Sequence, residues 1–162
     1  MLIAIIADTH LPRGRRRLPP ACLELLAGSD LIVHAGDVMT VGALSEIEAI
    51  GPPIAAVHGN VDCAELRRRL PATLELDLDG VRLAVVHDAG PRRERLERLR
   101  LRFPEADAVV FGHSHLPLHE RDDGFQIFNP GSPTERRRAP RRTMGTARIE
   151  RGSVRFAHVE LD

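Results

Sequence analysis

Short apolar runs punctuate the chain, and five of them stop at residues able to bind metal. Residues 1–7 read as a buried strand, with Asp8-Thr9-His10 immediately after. Leu31 to Ala35 reads as a second strand running into Gly36-Asp37, and Ile54 to Val57 leads to His58-Gly59-Asn60-Val61-Asp62. Val81 to Val86 delivers His87-Asp88, and Ala108 to Phe111 delivers Gly112-His113-Ser114-His115. Between these runs the pattern predicts helices over roughly 20–27, over 41–50, over a short turn from Ala64 and over 92–102. Gly28, Gly51-Pro52-Pro53 and Pro71 stop the first three, and Glu94 and Arg98 have i,i+4 spacing for an ion pair. Asp79-Gly80, set between Thr73–Leu78 and Val81–Val86, predicts a hairpin. Phe125 to Phe128 reads as a strand, and Thr146–Ile149 with Val154–Val159 reads as a closing hairpin around Arg151-Gly152. Strand–helix alternation followed by hairpins predicts an α/β protein with mixed sheets.

With 162 residues, 43% of them hydrophobic and 28% charged, one domain over 1–162 is expected. Five Phe and no Trp or Tyr leave Val, Leu, Ile and Ala to fill the core. A net charge of zero supplies no field that draws the chain to a membrane, and gives no strong nucleic-acid signal. All 23 basic residues are Arg, which removes Schiff-base chemistry and a P-loop lysine. Cys22 and Cys63 form neither a Cys-x-x-Cys pair nor a disulfide framework, so a reduced, cytoplasmic protein is expected. The apolar start, Leu2 to Ala7, is too short for a signal-peptide core or a membrane span.

Side chains alternate along a strand, so Asp8 and His10 should leave their strand end on one side. Open α/β sheets gather sites at the carboxyl ends of strands. Asp8, His10, Asp37, Asn60, His87, His113 and His115 are therefore expected to converge. Seven ligand-type residues are too many for one ion and suit two, about 3.5–4 Å apart, bridged by a carboxylate. Imidazole with carboxylate and amide oxygen favours Mn, placed first, or Fe, Ni, Zn or Co over a thiolate or all-oxygen site.

The ordered set Asp8-x-His10, Gly36-Asp37, Gly59-Asn60-x-Asp62, His87 and Gly112-His113-x-His115 resembles the signature of the calcineurin-like metallophosphoesterases. The match runs from residue 3 to about residue 133. Small size, no cap insertion between Asp37 and Asn60, and Asn129-Pro130-Gly131-Ser132 resemble the compact bacterial and archaeal phosphodiesterase branch. The resemblance implies a four-layer αββα sandwich, two mixed β-sheets flanked by helices. It implies that Asp8, His10 and His115 hold one divalent ion, Asn60, His87 and His113 the other, with Asp37 bridging. It implies a metal-dependent phosphodiesterase whose metal-bridging hydroxide attacks a small phosphoester in line, with Asp37, Asn60 and His113 nearest the chemistry. A phosphomonoesterase, a nuclease and a non-catalytic metal-binding scaffold of the same fold are the alternatives. Many members carry His after the motif Asn; Val61 stands there, which counts mildly against a monoesterase and leaves the general acid unassigned.

Asn60 can ligate only through its carbonyl oxygen, which frees its amide NH2 for substrate. Arg13 reads either as a bidentate donor to a substrate phosphate or as a solvated loop arginine. Asp88, where Gly commonly follows the His, either supports the neighbouring ligand or faces solvent. His34 reads as a hydrogen-bonded core group, His58 as loop support, and His119 and His158 as surface residues. Asp62 is expected to orient Asn60 or its loop, and Asn129 to Ser132 to form a tight structural turn. The Arg runs at 15–17, 67–69, 92–102 and 136–142 read as solvated faces, the last also fitting an anion-binding patch. Arg-rich faces and a sheet edge permit a homo-oligomer without requiring one.

Overall fold

In the computed structural model, which describes residues 1–161, the apolar runs become strands and the segments between them helices. The order is β1 (Leu2–Ile6), α1 (Pro20–Ala27), β2 (Leu31–His34), α2 (Val41–Glu48), β3 (Ile54–Ala56), α3 (Ala64–Arg69) and β4 (Thr73–Leu78). β5 (Val81–Val86), α4 (Arg95–Arg102), β6 (Ala108–Val110), β7 (Leu118–Asp122), β8 (Phe125–Asn129), β9 (Thr143–Glu150) and β10 (Ser153–Glu160) follow. The strands form two five-stranded sheets, ordered β10-β9-β1-β2-β3 and β4-β5-β6-β8-β7. Both are mixed. β2 is parallel to β1 and β3 while β9 runs antiparallel to β1; β6 is parallel to β5 and β8 while β4 and β7 run antiparallel at the edges.

Period-two alternation divides each inner strand between two apolar layers. Ile3, Ile5 and Val33 of the first sheet pack on Leu83, Val85, Val110 and Phe128 of the second. Ala4, Ile6 and Ile32 face the other way and meet Leu26 of α1, Leu44 and Ile47 of α2 and Leu66 of α3. On the far side, Ala84, Val109 and Ile127 meet Leu99 of α4 and Phe103. The result is the expected αββα stack, and inner strands β1 and β6 are unbroken apolar runs because both faces are covered.

Some elements differ from the sequence expectation. α4 begins at Arg95, because Glu94 is left-handed with φ 53°. The Glu94 carboxylate meets Arg93 Nε at 3.1 Å, while the Arg98 guanidinium donates to the Ala89 and Pro91 carbonyls, so the 94/98 pair does not form. Edge strand β7 is additional: its sequence, LHERD, lacks alternation, and four of its five residues are exposed. Among the described residues no helix is long and apolar enough to cross a membrane, and both cysteines are free thiols.

Every candidate ligand lies just past the carboxyl end of a strand from the parallel stretches. Asp8 and His10 follow β1, Asp37 follows β2, Asn60 follows β3, His87 follows β5, and His113 and His115 follow β6. The stacked sheets thereby bring five loops to one edge.

Candidate metal centre

Convergence of the ligands depends on backbone handedness more than on strand alternation. Asp8, His10, Asp37, His113 and His115 have φ of 54°, 46°, 61°, 69° and 60°, in the left-handed region. Each such residue costs about 1–2 kcal/mol relative to ordinary backbone, and the loops are held accordingly. Asp8 N–H donates to Gly36 O, His10 N–H to Asp37 O and Leu11 N–H to Val38 O, each at 3.0 Å. Buried Asp62 accepts from the N–H groups of Asp37 (3.2 Å), Met39 (2.6 Å) and Gly59 (2.6 Å). From the opposite side, Ser132 Oγ donates to Asp8 O at 2.8 Å and Asn129 Nδ2 to Gly112 O at 2.8 Å. Two motif glycines give clearance: a Cβ at Gly59 would lie 2.0 Å from Asp37 Oδ1, and one at Gly112 would lie 2.9 Å from Asp8 Oδ2.

Seven side chains then gather in two poles. In the first, His10 Nε2 and His115 Nε2 are 3.1 Å apart, and Asp8 Oδ1 is 3.9 Å and 3.4 Å from them. In the second, Asn60 Oδ1 lies 3.1 Å from His87 Nε2 and 3.0 Å from His113 Nδ1. Asp37 Oδ2 stands between, 3.3 Å from His87 Nε2 and 3.8 Å from His10 Nε2. His113 and His115, although one residue apart, serve different poles.

Tautomers follow from the outer partners. His87 Nδ1 faces the Ala35 carbonyl at 2.8 Å and His115 Nδ1 the Glu135 carbonyl at 2.9 Å. A carbonyl only accepts, so both Nδ1 atoms carry a proton and, in the neutral rings, both Nε2 atoms turn lone pairs inward. Burial lowers the His10 pKa and takes His115 to about 4, keeping both rings neutral. Asp8 is buried with neither carboxylate oxygen hydrogen-bonded, and burial drives its pKa up to about 7. Burial also pushes Asp37 up, yet the hydrogen bond and charge of His87, with the Val61 N–H at 3.0 Å, bring it to about 2. Burial opposes charge on His87, but its bond to Asp37 and the charge of Asp8 raise its pKa, as befits a ring placed where a cation belongs. Lone pairs aimed at one another, around an unsatisfied buried carboxylate, fit divalent cations. Asp8, His10 and His115 form one such group, and Asp8, Asp37 and His87 another.

The remaining candidates are placed as follows. Asp62 holds loops. Arg13 is exposed, and among the described residues its guanidinium touches none of the seven. Asp88 is exposed too, and its Oδ1 accepts from Gly90 N–H at 2.7 Å. His34 is fully buried; Nδ1 accepts from Gly36 N–H at 3.2 Å, so Nε2 donates to Thr9 Oγ1 at 3.0 Å. His58 Nδ1 lies 3.4 Å from the Gly59 carbonyl, and exposed His119 bonds Gln126 Oε1 at 2.9 Å. His158 is exposed yet fixed, donating to Asn129 O at 2.8 Å and stacking on Phe128. Sequence reasoning missed Arg67, which donates to the Asp62 and Asn60 carbonyls, and Glu135, whose carbonyl aims His115. For Arg67 the available signal was an arginine one helical turn beyond the Asn60–Asp62 motif; for Glu135 there was none, because its backbone does the work.

Over residues 1–152 the chain matches the calcineurin-like phosphoesterase superfamily domain. It belongs to that superfamily. A probable metallophosphoesterase of Methanocaldococcus jannaschii is 35% identical over a match covering 83% of this chain and 69% of that protein. Phosphodiesterase YfcE of Escherichia coli K12 is 30% identical, with 82% of this chain and 79% of that protein covered. Among solved structures, wild-type Vps29 of Entamoeba histolytica complexed with Zn2+ superposes with a TM-score of 0.78 and full coverage of both chains, at 20% identity. That likeness concerns the fold.

Proposed function

We propose that this chain is a one-domain phosphodiesterase working with two divalent cations, Mn first among them. Asp8, His10 and His115 would hold one, Asn60, His87 and His113 the other, and Asp37 would be shared. The position of Asp37 Oδ2 carries the reading: one carboxylate oxygen lies within 4 Å of ligand nitrogens from both poles. When bound, such a pair supplies Lewis-acid stabilisation of phosphoryl oxygens and a water acidic enough to attack near neutral pH.

The chain's own groups do the rest. Nδ1–H bonds to backbone carbonyls fix the His87 and His115 rings, so neither needs to reorient during reaction. Asn60, with Oδ1 turned inward, keeps its NH2 to donate to a phosphoryl oxygen. Val61, 43% exposed beside it, offers no proton to a leaving group. Diesters with acidic leaving groups are therefore the favoured substrates. Residues 38–59 hold only α2, β3 and their connections, so no inserted segment there covers the centre against a small phosphoester. The relatives named phosphodiesterase support the diester over the monoester.

The test is hydrolysis of an aryl phosphodiester and its monoester with Mn, Ni, Zn or no metal, for wild type and Asp37→Ala. Metal-dependent diesterase activity that disappears in Asp37→Ala is expected. Bound metal with neither ester hydrolysed would replace the enzyme reading with a metal-binding scaffold.

A further inference from the structure

Between His10 and α1 the chain carries Arg13, Arg15, Arg16 and Arg17, which face Thr134 and Arg142 across a cleft of 720 Å³. Among the described residues, no acidic or aromatic side chain lines it. Arg16 Nη2 pairs with Glu135 Oε1 at 3.0 Å, but Arg16 Nη1 is buried with no hydrogen-bond partner. An orphaned buried guanidinium donor calls for an acceptor. Among the described residues, no carboxylate pairs with Arg13, Arg15 or Arg17. The guanidinium groups of Arg13, Arg15 and Arg17, gathered beside Arg16, repel one another, and an anion with several oxygens relieves both the repulsion and the orphaned donor.

This cleft adjoins the first pole of the metal centre. Thr134 Oγ1 donates to Thr9 O at 2.7 Å, between ligands Asp8 and His10. Glu135 accepts Arg16 at its carboxylate and His115 at its carbonyl, so one residue links cleft and centre. Recognition there is by charge, because nothing in the lining can stack on a base.

We propose that the cleft binds a second phosphoryl group on one arm of the diester cleaved at the metal centre. The substrate class is then a phosphodiester bearing a further terminal phosphate. The inference rests on the proposed diesterase activity, but its first test does not.

Full-length protein stripped of metal by a chelator is titrated calorimetrically with inorganic tripolyphosphate. Wild type is compared with Arg13→Ala/Arg15→Ala/Arg17→Ala, which keeps the Arg16–Glu135 pair, and with the distant control Arg92→Ala/Arg93→Ala. The triple variant should bind at least about ten-fold more weakly, and the control should match wild type. Equal binding by wild type and triple variant overturns the cleft. In the second arm, a thymidine dinucleotide with and without a terminal phosphate is compared, by kcat/KM on metal-loaded protein and by Kd on stripped protein. The terminal phosphate should improve either constant about ten-fold in wild type and not in the triple variant. Tripolyphosphate binding without that preference would make the cleft a site for free phosphates and overturn the substrate assignment. Loss of hydrolysis alone would sink the diesterase reading, while both binding arms still decide the cleft.

Discussion

Replacing Asp62 by Ala removes the acceptor of three backbone N–H groups, those of Asp37, Met39 and Gly59. Buried donors left without partners cost about 1–3 kcal/mol each before relaxation. Asp62→Ala should therefore lower stability by roughly 2–4 kcal/mol, read by urea unfolding, and should weaken metal binding although Asp62 is no ligand in the proposed set. Unchanged metal affinity would show that the Asp37 loop holds itself. Cys22 supplies a second check. Burial raises its thiol to about 12, whereas Cys63 is half-buried. A folded pKa above the unfolded value means the contribution is intact below about pH 9 and falls as pH climbs toward 12. At pH 8.5, iodoacetamide should label Cys63 in the native protein and Cys22 only after unfolding, as mass spectrometry would show. At this scale the sequence pointed to which side chains converge, because all seven sit just after apolar runs. It concealed how they are aimed. Left-handed φ, uncommon outside glycine, recurs at His10, His113 and His115, and no local pattern announces it.

Three hairpins use the same device, two consecutive left-handed residues: Asp79-Gly80 (φ 55° and 81°), Asp123-Gly124 (42° and 80°) and Arg151-Gly152 (52° and 71°). This turn matches the twist of its strands and favours Asn or Asp before Gly. Gly152→Ala should cost about 1–2 kcal/mol, and Arg151→Asn should gain a few tenths, both measured as shifts in the urea midpoint. The first and last hairpins were legible because alternating apolar runs flank the turn. The middle one was not, since β7 buries none of its residues fully and shows no apolar alternation. Glu94 carries the same lesson for helices: spacing suggested a partner at Arg98, but the left-handed residue before α4 turned the carboxylate toward Arg93.

Because loops from both sheets meet at the site, the proposed two-cation centre would tie whole-molecule stability to metal. Each cation at 100 times its Kd should add about 2.7 kcal/mol, so chelator should lower the unfolding midpoint and Mn restore it, with no such response in Asp37→Ala. The layer class was legible from doubly buried runs, whereas the order β10-β9-β1 was not, because nothing local says that residues 143–150 lie beside residues 2–6. That pairing matters while the protein is being made. β1 leaves the ribosome well before β9, and its outer edge stays open until β9 arrives to set Leu2 against Arg148 and Ile5 against Gly145. At about 5–20 residues per second the wait is roughly 7–30 s. Chains ending at Arg142 should stay unfolded and aggregate, as light scattering would report, although all seven candidate ligands are already in place. Nascent polypeptide held in that interval is a natural client for a chaperone that shields unpaired strand edges.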